Sequence, residues 1–273
     1  MVLGLWEESV VIIYNIVAGL SLALHPLLKD KRCYMGIMCI LLILVAGFRS
    51  ATVGSDTETY IALYEETKVQ PFLDSFEAGN KVEIGNRLIM FLSYVIYDSP
   101  QTFIFFMAFF TIIILGSFIY RTTEEDYHIA TFVLISFGFF FYMMNAERQA
   151  LGIAIVCHAI YYIFKRSYGK AILMCFLASC FHVSLVIMLP VVLMIRVFDH
   201  EIGYKMRFVQ MAFLIFLIAF IFYFGYNYLL DNLDFLGGHF VGYFSILSDY
   251  NATRIPGGLL TALGSVYLLI GFF

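Results

Sequence analysis

Apolar runs of about twenty residues recur along this sequence, separated by short polar stretches. A helix of that length crosses the roughly 30 Å hydrocarbon core of a bilayer, so each run predicts one membrane helix. The runs with this pattern are residues 9–28, 34–48, 102–120, 129–144, 150–164, 206–230 and a last one from residue 257. The pattern therefore predicts an all-α, polytopic, integral membrane helical bundle.

Two further apolar segments fit a simple crossing poorly. Segment 84–97 is short and carries Asn86 and Arg87, and segment 170–196 is too long for one upright helix and contains His182. We expect the first to dip into the membrane without crossing it, and the second to enter and return with a turn at residues 181–184. With these segments included, the sequence predicts about eight to ten membrane segments, some short or re-entrant. All belong to a single transmembrane domain, 1–273.

The distribution of basic residues predicts the orientation of these helices, because cytoplasmic loops carry an excess of lysine and arginine. The basic residues fall into three clusters: Lys29, Lys31 and Arg32; Lys165, Arg166 and Lys170; and Arg196, Lys205 and Arg207. With these clusters in the cytoplasm, the N-terminus and the loops at about 49–83 and 231–256 lie outside. The polar break at 145–149 and the turn at 181–184 then face the same external side.

Composition narrows the class further. Hydrophobic residues make up 62% and charged residues 13% of the chain, whereas a soluble domain has about 25% charged residues. No basic patch points to nucleic acid, no histidine or cysteine cluster has metal-ligand spacing, and no glycine-rich motif points to a nucleotide cofactor. The last apolar run ends at Phe273 without a polar anchor, so we expect a truncated C-terminus.

The break at 145–149 is the first candidate for chemistry, because it places an arginine between two membrane-length segments. That placement costs roughly 2.5–3.5 kcal/mol at a bilayer centre, so such a group is expected to face a partner, a watery cavity or a ligand. Glu147 and Arg148 are neighbours and do not share a helix face. Arg148 is therefore predicted to offer its planar fork of donors to a phosphate or carboxylate. The alternative is that it caps carbonyls at the end of the preceding helix.

Five other polar residues keep two interpretations each. Arg49 ends a membrane helix, where it either snorkels to the interface or binds an anion. Asp56 and Glu83 precede helical segments and act either as helix-terminal carboxylates or as general bases. Arg87 either pairs with Glu83 one turn away or faces an anion. His182 is either a hydrogen-bonded structural residue or a proton shuttle.

In this order, these clusters resemble the EpsG family of Wzy-like bacterial polysaccharide polymerases. The likeness covers about residues 44–190 and departs from the family pattern at Glu147 and at Asn86-Arg87. The residues that carry it are Gly47, Arg49, Gly54, Asp56, Tyr60, Glu83, Gly85, Asn145, Arg148, Gln149, Ala178, Ser179, Phe181, His182 and Ser184.

The resemblance implies a glycosyltransferase-type polymerase that joins undecaprenyl-diphosphate-linked oligosaccharide repeat units. The reaction would take place at the outer face of the bacterial cytoplasmic membrane, for a capsule, an O antigen or an exopolysaccharide. The implied catalytic residues are Glu83, Asp56 and His182, and the implied diphosphate-binding residues are Arg49, Arg148, Asn145 and Gln149. The implied partners are the lipid-linked glycan, the bilayer, a flippase and a chain-length regulator. No cofactor, metal or nucleic acid is expected.

Two other functions stay open on the residues alone. A flippase or transporter for the lipid-linked glycan would predict broken helices in two matched halves, and the breaks at 145–149 and at His182 do not lie in matching halves. A membrane glycan ligase would share the polar clusters, although a large external loop would favour it and the loops in this chain are short to moderate. The polymerase is the favoured prediction.

Overall fold

Helices account for nearly all of the regular structure in the computed structural model, which describes residues 2–54, 56–71 and 82–198. The helices are α1 Val2–Ala23, α2 Lys31–Gly47, α3 Thr57–Thr67, α4 Ile84–Ile96, α5 Pro100–Thr122, α6 Tyr127–Ser136, α7 Phe139–Asn145, α8 Glu147–Phe164, α9 Tyr168–Ser179 and α10 Met188–Phe198. A 3₁₀ helix, Val183–Ile187, separates α9 from α10. Within these residues there is no strand, so the all-α prediction is confirmed for the described part of the chain.

The described residues belong to one unit, Met1–Ser75 with Val82–Ile202. The other unit, Phe76–Lys81 with Gly203–Phe273, lies outside the described residues. The predicted helix at 206–230, the loop at 231–256 and the run from residue 257 therefore lie outside them as well.

The apolar run at 129–144 is not one continuous helix. It forms α6 and α7, which are bent by 52° relative to each other. Gly138 lies at the break with φ 80°, a conformation that glycine adopts without the steric cost other residues incur. The prediction of a single helix was wrong here, because a lone glycine inside an apolar run does not by itself signal a break.

The surface of α4 is inverted relative to that of a water-soluble helix. Its buried face carries Asn86, Arg87 and Ser93, whereas its exposed side chains, among them Leu92 and Val95, are apolar. Such a helix is stable where its outer face meets lipid instead of water. This polarity favours a membrane-embedded position for α4.

By length and composition, α5 is the one described helix that is apolar and long enough to cross a membrane alone. The bent pair of α6 and α7 passes the same test when it is taken as one span. The shorter apolar helices are Ile12–Ala23, Ile84–Ile96, Tyr168–Ser179 and Val183–Arg196. The described chain is therefore an all-helical unit with one clear apolar span and several shorter apolar helices.

Helices α2 and α5 run antiparallel and define the two ends of this unit. At one end, Gln101 Nε2 donates to the carbonyl of Gly47 over 2.5 Å. At the other end, Lys31 donates to the carbonyl of Thr123 and Arg32 Nε donates to the Tyr120 hydroxyl over 3.2 Å. We call the first the Gly47 end and the second the Lys31 end.

Helix α8 runs alongside α5 in the same direction. Leu151, near the start of α8, packs in the same cluster as Phe103 and Met107 of α5. Further along, His158 Nε2 lies 3.0 Å from the Ser117 hydroxyl. The first turn of α8, with Glu147 and Arg148, therefore lies at the Gly47 end.

The segment predicted to enter and return does turn back on itself. Its first half is α9, which ends at Ser179, and the chain turns between α9 and the 3₁₀ helix, so the turn overlaps the predicted residues 181–184. Val192 of α10 then packs in one buried cluster with Ala171 and Cys175 of α9. The chain consequently brings His182 to the end of a helical hairpin.

Candidate functional site

Glu83 and Arg148 form an ion pair at the Gly47 end of the unit. Arg148 Nη1 donates to Glu83 Oε2 over 2.8 Å. Glu83 directly precedes α4, and Arg148 is the second residue of α8. Their side chains are 17% and 21% exposed. The pair is shielded enough for its charges to interact strongly, yet both side chains remain partly accessible to solvent.

His182 lies on the other oxygen of the same carboxylate. Its Nδ1 is 3.5 Å from Glu83 Oε1, and its side chain is 28% exposed. That separation is longer than a hydrogen bond but falls within the range of an ion pair. The carboxylate of Glu83 thus has a guanidinium on one oxygen and an imidazole beside the other.

The protonation of Glu83 reflects these neighbours. Burial raises the pKa of the carboxyl, but the contact with His182 and the charge of Arg148 outweigh it and lower the pKa to about 2. Glu83 is therefore an anion at neutral pH. Such a carboxylate is better suited to orienting the imidazole of His182 than to removing a proton from a sugar hydroxyl.

The start of α4 is bonded to the turn that carries His182. The Gly85 N–H donates to the Cys180 carbonyl over 2.8 Å, and Asn86 Nδ2 donates to the Phe181 carbonyl over 2.7 Å. A Cβ on Gly85 would lie 2.7 Å from the Cys180 carbonyl oxygen. The two segments therefore approach each other as closely as a glycine permits.

Arg49 and Glu147 form a second ion pair, which is more deeply buried. Arg49 Nη2 donates to Glu147 Oε1, and the two side chains are 3% and 4% exposed. The same guanidinium donates to the carbonyls of Ala46 over 2.8 Å and Met144 over 3.2 Å. Arg49 therefore does not snorkel to an interface, because its side chain turns inward to join α2, α7 and α8.

The other predicted site residues lie at the same end. Asp56 is at the N-cap position of α3, although its side chain makes no capping hydrogen bond to that helix. Asn145 ends α7, with its Oδ1 close to Gly54. Gln149 Oε1 accepts a hydrogen bond of 2.7 Å from the Tyr142 hydroxyl. Catalytic or ligand-binding roles for these residues stay predictions.

The suggested pairing of Glu83 with Arg87 is wrong. Arg87 is 2% exposed and its Nη1 donates to the Pro71 carbonyl over 3.1 Å. Glu83 has an extended backbone at the N-cap of α4, with φ −67° and ψ 150°. The one-turn spacing rule therefore does not apply to it, since that rule holds only inside a helix.

Tyr60 and Asn86 were noted in the sequence but were not assigned to the site. Tyr60 faces Arg148, with the guanidinium carbon 5.9 Å from its ring centre, a distance suited to a cation–π contact. Asn86 donates to both Glu83 Oε2 and the Phe181 carbonyl. A polar residue one turn into a helix, just after a candidate catalytic carboxylate, was the signal available for Asn86. Among the described residues, no group of three or more histidine, cysteine, aspartate or glutamate side chains is placed to hold a metal ion.

Comparison with known proteins identifies a family for this chain. The sequence model described as the EpsG family matches residues 32–273, a range that includes every residue of the two ion pairs. No curated protein and no solved structure matches the chain.

Proposed function

Since this chain belongs to the EpsG family, whose members are polysaccharide-polymerase-like membrane proteins, we propose that it joins oligosaccharide repeat units carried on undecaprenyl diphosphate. The product would be a capsule, an O antigen or an exopolysaccharide. The observation that carries this proposal is that Arg148 and His182 lie beside the two carboxylate oxygens of Glu83, in a site whose side chains are partly exposed.

Arg148 is suited to bind the diphosphate leaving group of such a reaction. Breaking the bond between a sugar and a lipid diphosphate leaves negative charge on the phosphate oxygens, and a preorganised cation stabilises that charge as it develops. A guanidinium has five N–H donors, so Arg148 can bind a phosphate oxygen while it keeps its bond to Glu83. Binding the diphosphate there places the scissile bond beside Glu83 and His182.

His182 is suited to act as the base that activates the acceptor hydroxyl. The acceptor hydroxyl loses its proton to Nε2 of His182, and its oxygen forms a new bond to the anomeric carbon. The bond from that carbon to the diphosphate oxygen breaks, the electron pair leaves with the diphosphate, and the imidazolium then releases its proton to water. Glu83 Oε1 lies 3.5 Å from Nδ1 of the ring, so its charge stabilises the imidazolium that forms, as a carboxylate does beside a catalytic histidine.

The same arrangement supports an external site. The Lys31 end carries Lys31 and Arg32, and the positive-inside rule assigns such clusters to the cytoplasm. We therefore place the site at the outer face of the bacterial cytoplasmic membrane, in a bundle of about eight to ten membrane segments. A flippase would deliver the lipid-linked units to this face, and a chain-length regulator would act on the product.

The proposal is tested in a strain that lacks the gene and is complemented with variants. Arg148→Ala should abolish long-chain polysaccharide on gels while the protein stays at normal abundance in the membrane fraction. Arg121→Ala is the matched control, because Arg121 is an exposed arginine in the last turn of α5, at the Lys31 end. It should leave the polymer unchanged.

Two outcomes would contradict the polymerase. Polymer of normal length in the deletion strain would exclude it. Lipid-linked single units that fail to reach the outer face in the Arg148→Ala strain would identify a flippase instead. Single units that accumulate at the outer face, without polymer, are the result expected for the polymerase.

A further inference from the structure

We propose that Asn86 is a positioning residue that holds His182 against Glu83, and this inference rests on the function proposed above. Asn86 was not among the predicted site residues, and its residue type departs from the pattern that the resemblance implies. Its side chain is 0% exposed, so it does not touch substrate. Any effect it has on the reaction acts through the residues that it contacts.

Asn86 bonds to both halves of the site at once. Its Nδ2 lies 3.1 Å from Glu83 Oε2 and 2.7 Å from the Phe181 carbonyl oxygen. Phe181 immediately precedes His182 in the chain. One amide group therefore connects the carboxylate to the backbone of the turn that carries the imidazole.

The two partners of Asn86 call for a side chain that donates two hydrogen bonds. Both are oxygen acceptors, so the side chain has to supply two N–H donors from one nitrogen, which the NH₂ group of asparagine does. An ionised aspartate of the same shape has no donor and would repel Glu83. A leucine of similar volume would leave the carbonyl of Phe181 without this donor.

Asn86 supplies one of two polar ties between this turn and α4, the other being the bond of 2.8 Å from the Gly85 N–H to the Cys180 carbonyl. The turn also lies against Gly152 of α8, where a Cβ would be 3.3 Å from the Ala178 carbonyl oxygen and 3.7 Å from Cβ of His182. The turn is thus bounded by α8 on one side and by the start of α4 on the other. Loss of the amide removes a polar tie to α4, so the imidazole moves away from Oε1 of Glu83.

The test uses the full-length protein purified in detergent, with Asn86→Asp and Asn86→Leu as the variants. Ser93→Ala is the matched control, because Ser93 is also buried on the inner face of α4 and donates only to the Ile89 carbonyl of its own helix. Modification of His182 by diethyl pyrocarbonate, mapped by mass spectrometry, reports the position of the imidazole. His158, which is buried against Ser117, serves as the internal reference for intact folding.

The second readout is turnover of the lipid-linked repeat unit extracted from a strain that lacks the gene. Both Asn86 variants should lower kcat by about 10- to 100-fold, the loss that a misplacement of about 1 Å produces. Their KM should change less than kcat, because the proposed diphosphate ligand Arg148 is not substituted and makes its own bond to Glu83. Farnesyl diphosphate, a soluble probe of the diphosphate site, should bind with unchanged affinity.

We expect His182 to be modified faster in both Asn86 variants, with His158 unreactive and Ser93→Ala like the wild type. Unchanged modification of His182 together with unchanged kcat overturns the proposal. A rise in KM with unchanged kcat also overturns it, because that result would place Asn86 in binding. Wild-type protein that makes no polymer would instead overturn the proposed function, and the modification rates would still decide whether Asn86 holds the turn.

Discussion

Arg49 at the end of α2 is paired with Glu147, the first residue of α8, and both side chains are almost completely buried. The next residue, Arg148, forms the other ion pair with Glu83. Two consecutive residues of α8 therefore have separate tasks. The pair of Glu147 with Arg49 connects the start of α8 to the end of α2. This contact positions the neighbouring Arg148 side chain.

The first prediction concerns the buried pair. Glu147→Leu should lower the free energy of unfolding by about 3–5 kcal/mol, because it leaves the guanidinium of Arg49 buried without its carboxylate. Replacing both partners, as Arg49→Met with Glu147→Leu, should restore most of that loss, because apolar groups of similar volume often substitute for a buried ion pair without cost. Thermal unfolding in detergent measures both changes.

The same double variant decides the role of Arg49. A stable double variant that makes polymer assigns Arg49 to structure alone. A stable double variant that makes none supports the prediction that Arg49 binds the diphosphate. A double variant as unstable as Glu147→Leu would show that the pair does not account for the stability.

The second prediction concerns the stability of the protein in acid. The pKa of Glu83 is about 2 in the folded protein, against an ordinary value of 4.5, so the folded state favours the ionised form. The corresponding stabilisation, about 3 kcal/mol at roughly 1.4 kcal/mol per pKa unit, is fully present above pH 4.5 and is lost as the pH falls toward about 2.

Melting temperatures at about pH 6 and about pH 3 check this prediction. The wild type should lose more stability between them than Glu83→Gln, which has no carboxylate to protonate there. Glu58→Gln, at an exposed position in α3, should behave like the wild type. An equal loss in the wild type and in Glu83→Gln would contradict the assigned pKa.

The third prediction concerns the contact between α4 and the His182 turn. Gly85→Ala should destabilise the protein by about 1–3 kcal/mol and reduce polymer, because the new Cβ would lie 2.7 Å from the Cys180 carbonyl oxygen and 2.8 Å from the Phe181 ring. Gly36→Ala in α2 has no atom within 4 Å of the new Cβ and should be neutral or stabilising. A neutral Gly85→Ala would show that the turn shifts without consequence.

The fourth prediction compares two glycines with positive φ. Gly54 has φ 94° and Gly138 has φ 80°, so alanine costs about 1–2 kcal/mol at each from backbone strain alone. At Gly54 the Cβ would also lie 2.9 Å from the Met144 carbonyl oxygen, whereas at Gly138 it meets nothing within 4 Å. Thermal unfolding should therefore show a larger loss for Gly54→Ala than for Gly138→Ala, and the reverse order would refute the packing argument.

Much of the helical layout was predictable, because long apolar runs carry a strong signal for membrane helices. The predicted run at 102–120 corresponds to α5, and the polar break at 145–149 coincides with the junction of α7 and α8 at Ala146. The bend at Gly138 was not predictable, since an isolated glycine in an apolar run is compatible with a continuous helix.

The partners of the charged residues were beyond sequence reasoning for a different reason. Spacing rules describe residues three or four apart on one helix, whereas Glu147 lies 98 positions from Arg49 and Glu83 lies 65 positions from Arg148. Glu147 and Asn86, the departures from the family pattern, both bond to residues inside that pattern. Their contribution became visible only when the fold brought those partners together.

The inward polar face of α4 has a consequence for how the chain is made. Asn86 finds its carbonyl partner 95 residues later, at Phe181, so α4 leaves the ribosome long before that partner exists. Arg87 differs, because its acceptor, the Pro71 carbonyl, precedes it in the chain. The contact between Asn86 and the His182 turn can consequently form only after α9 has been made. A chain that stops before Phe181 will therefore lack the acceptor that the buried amide of Asn86 uses.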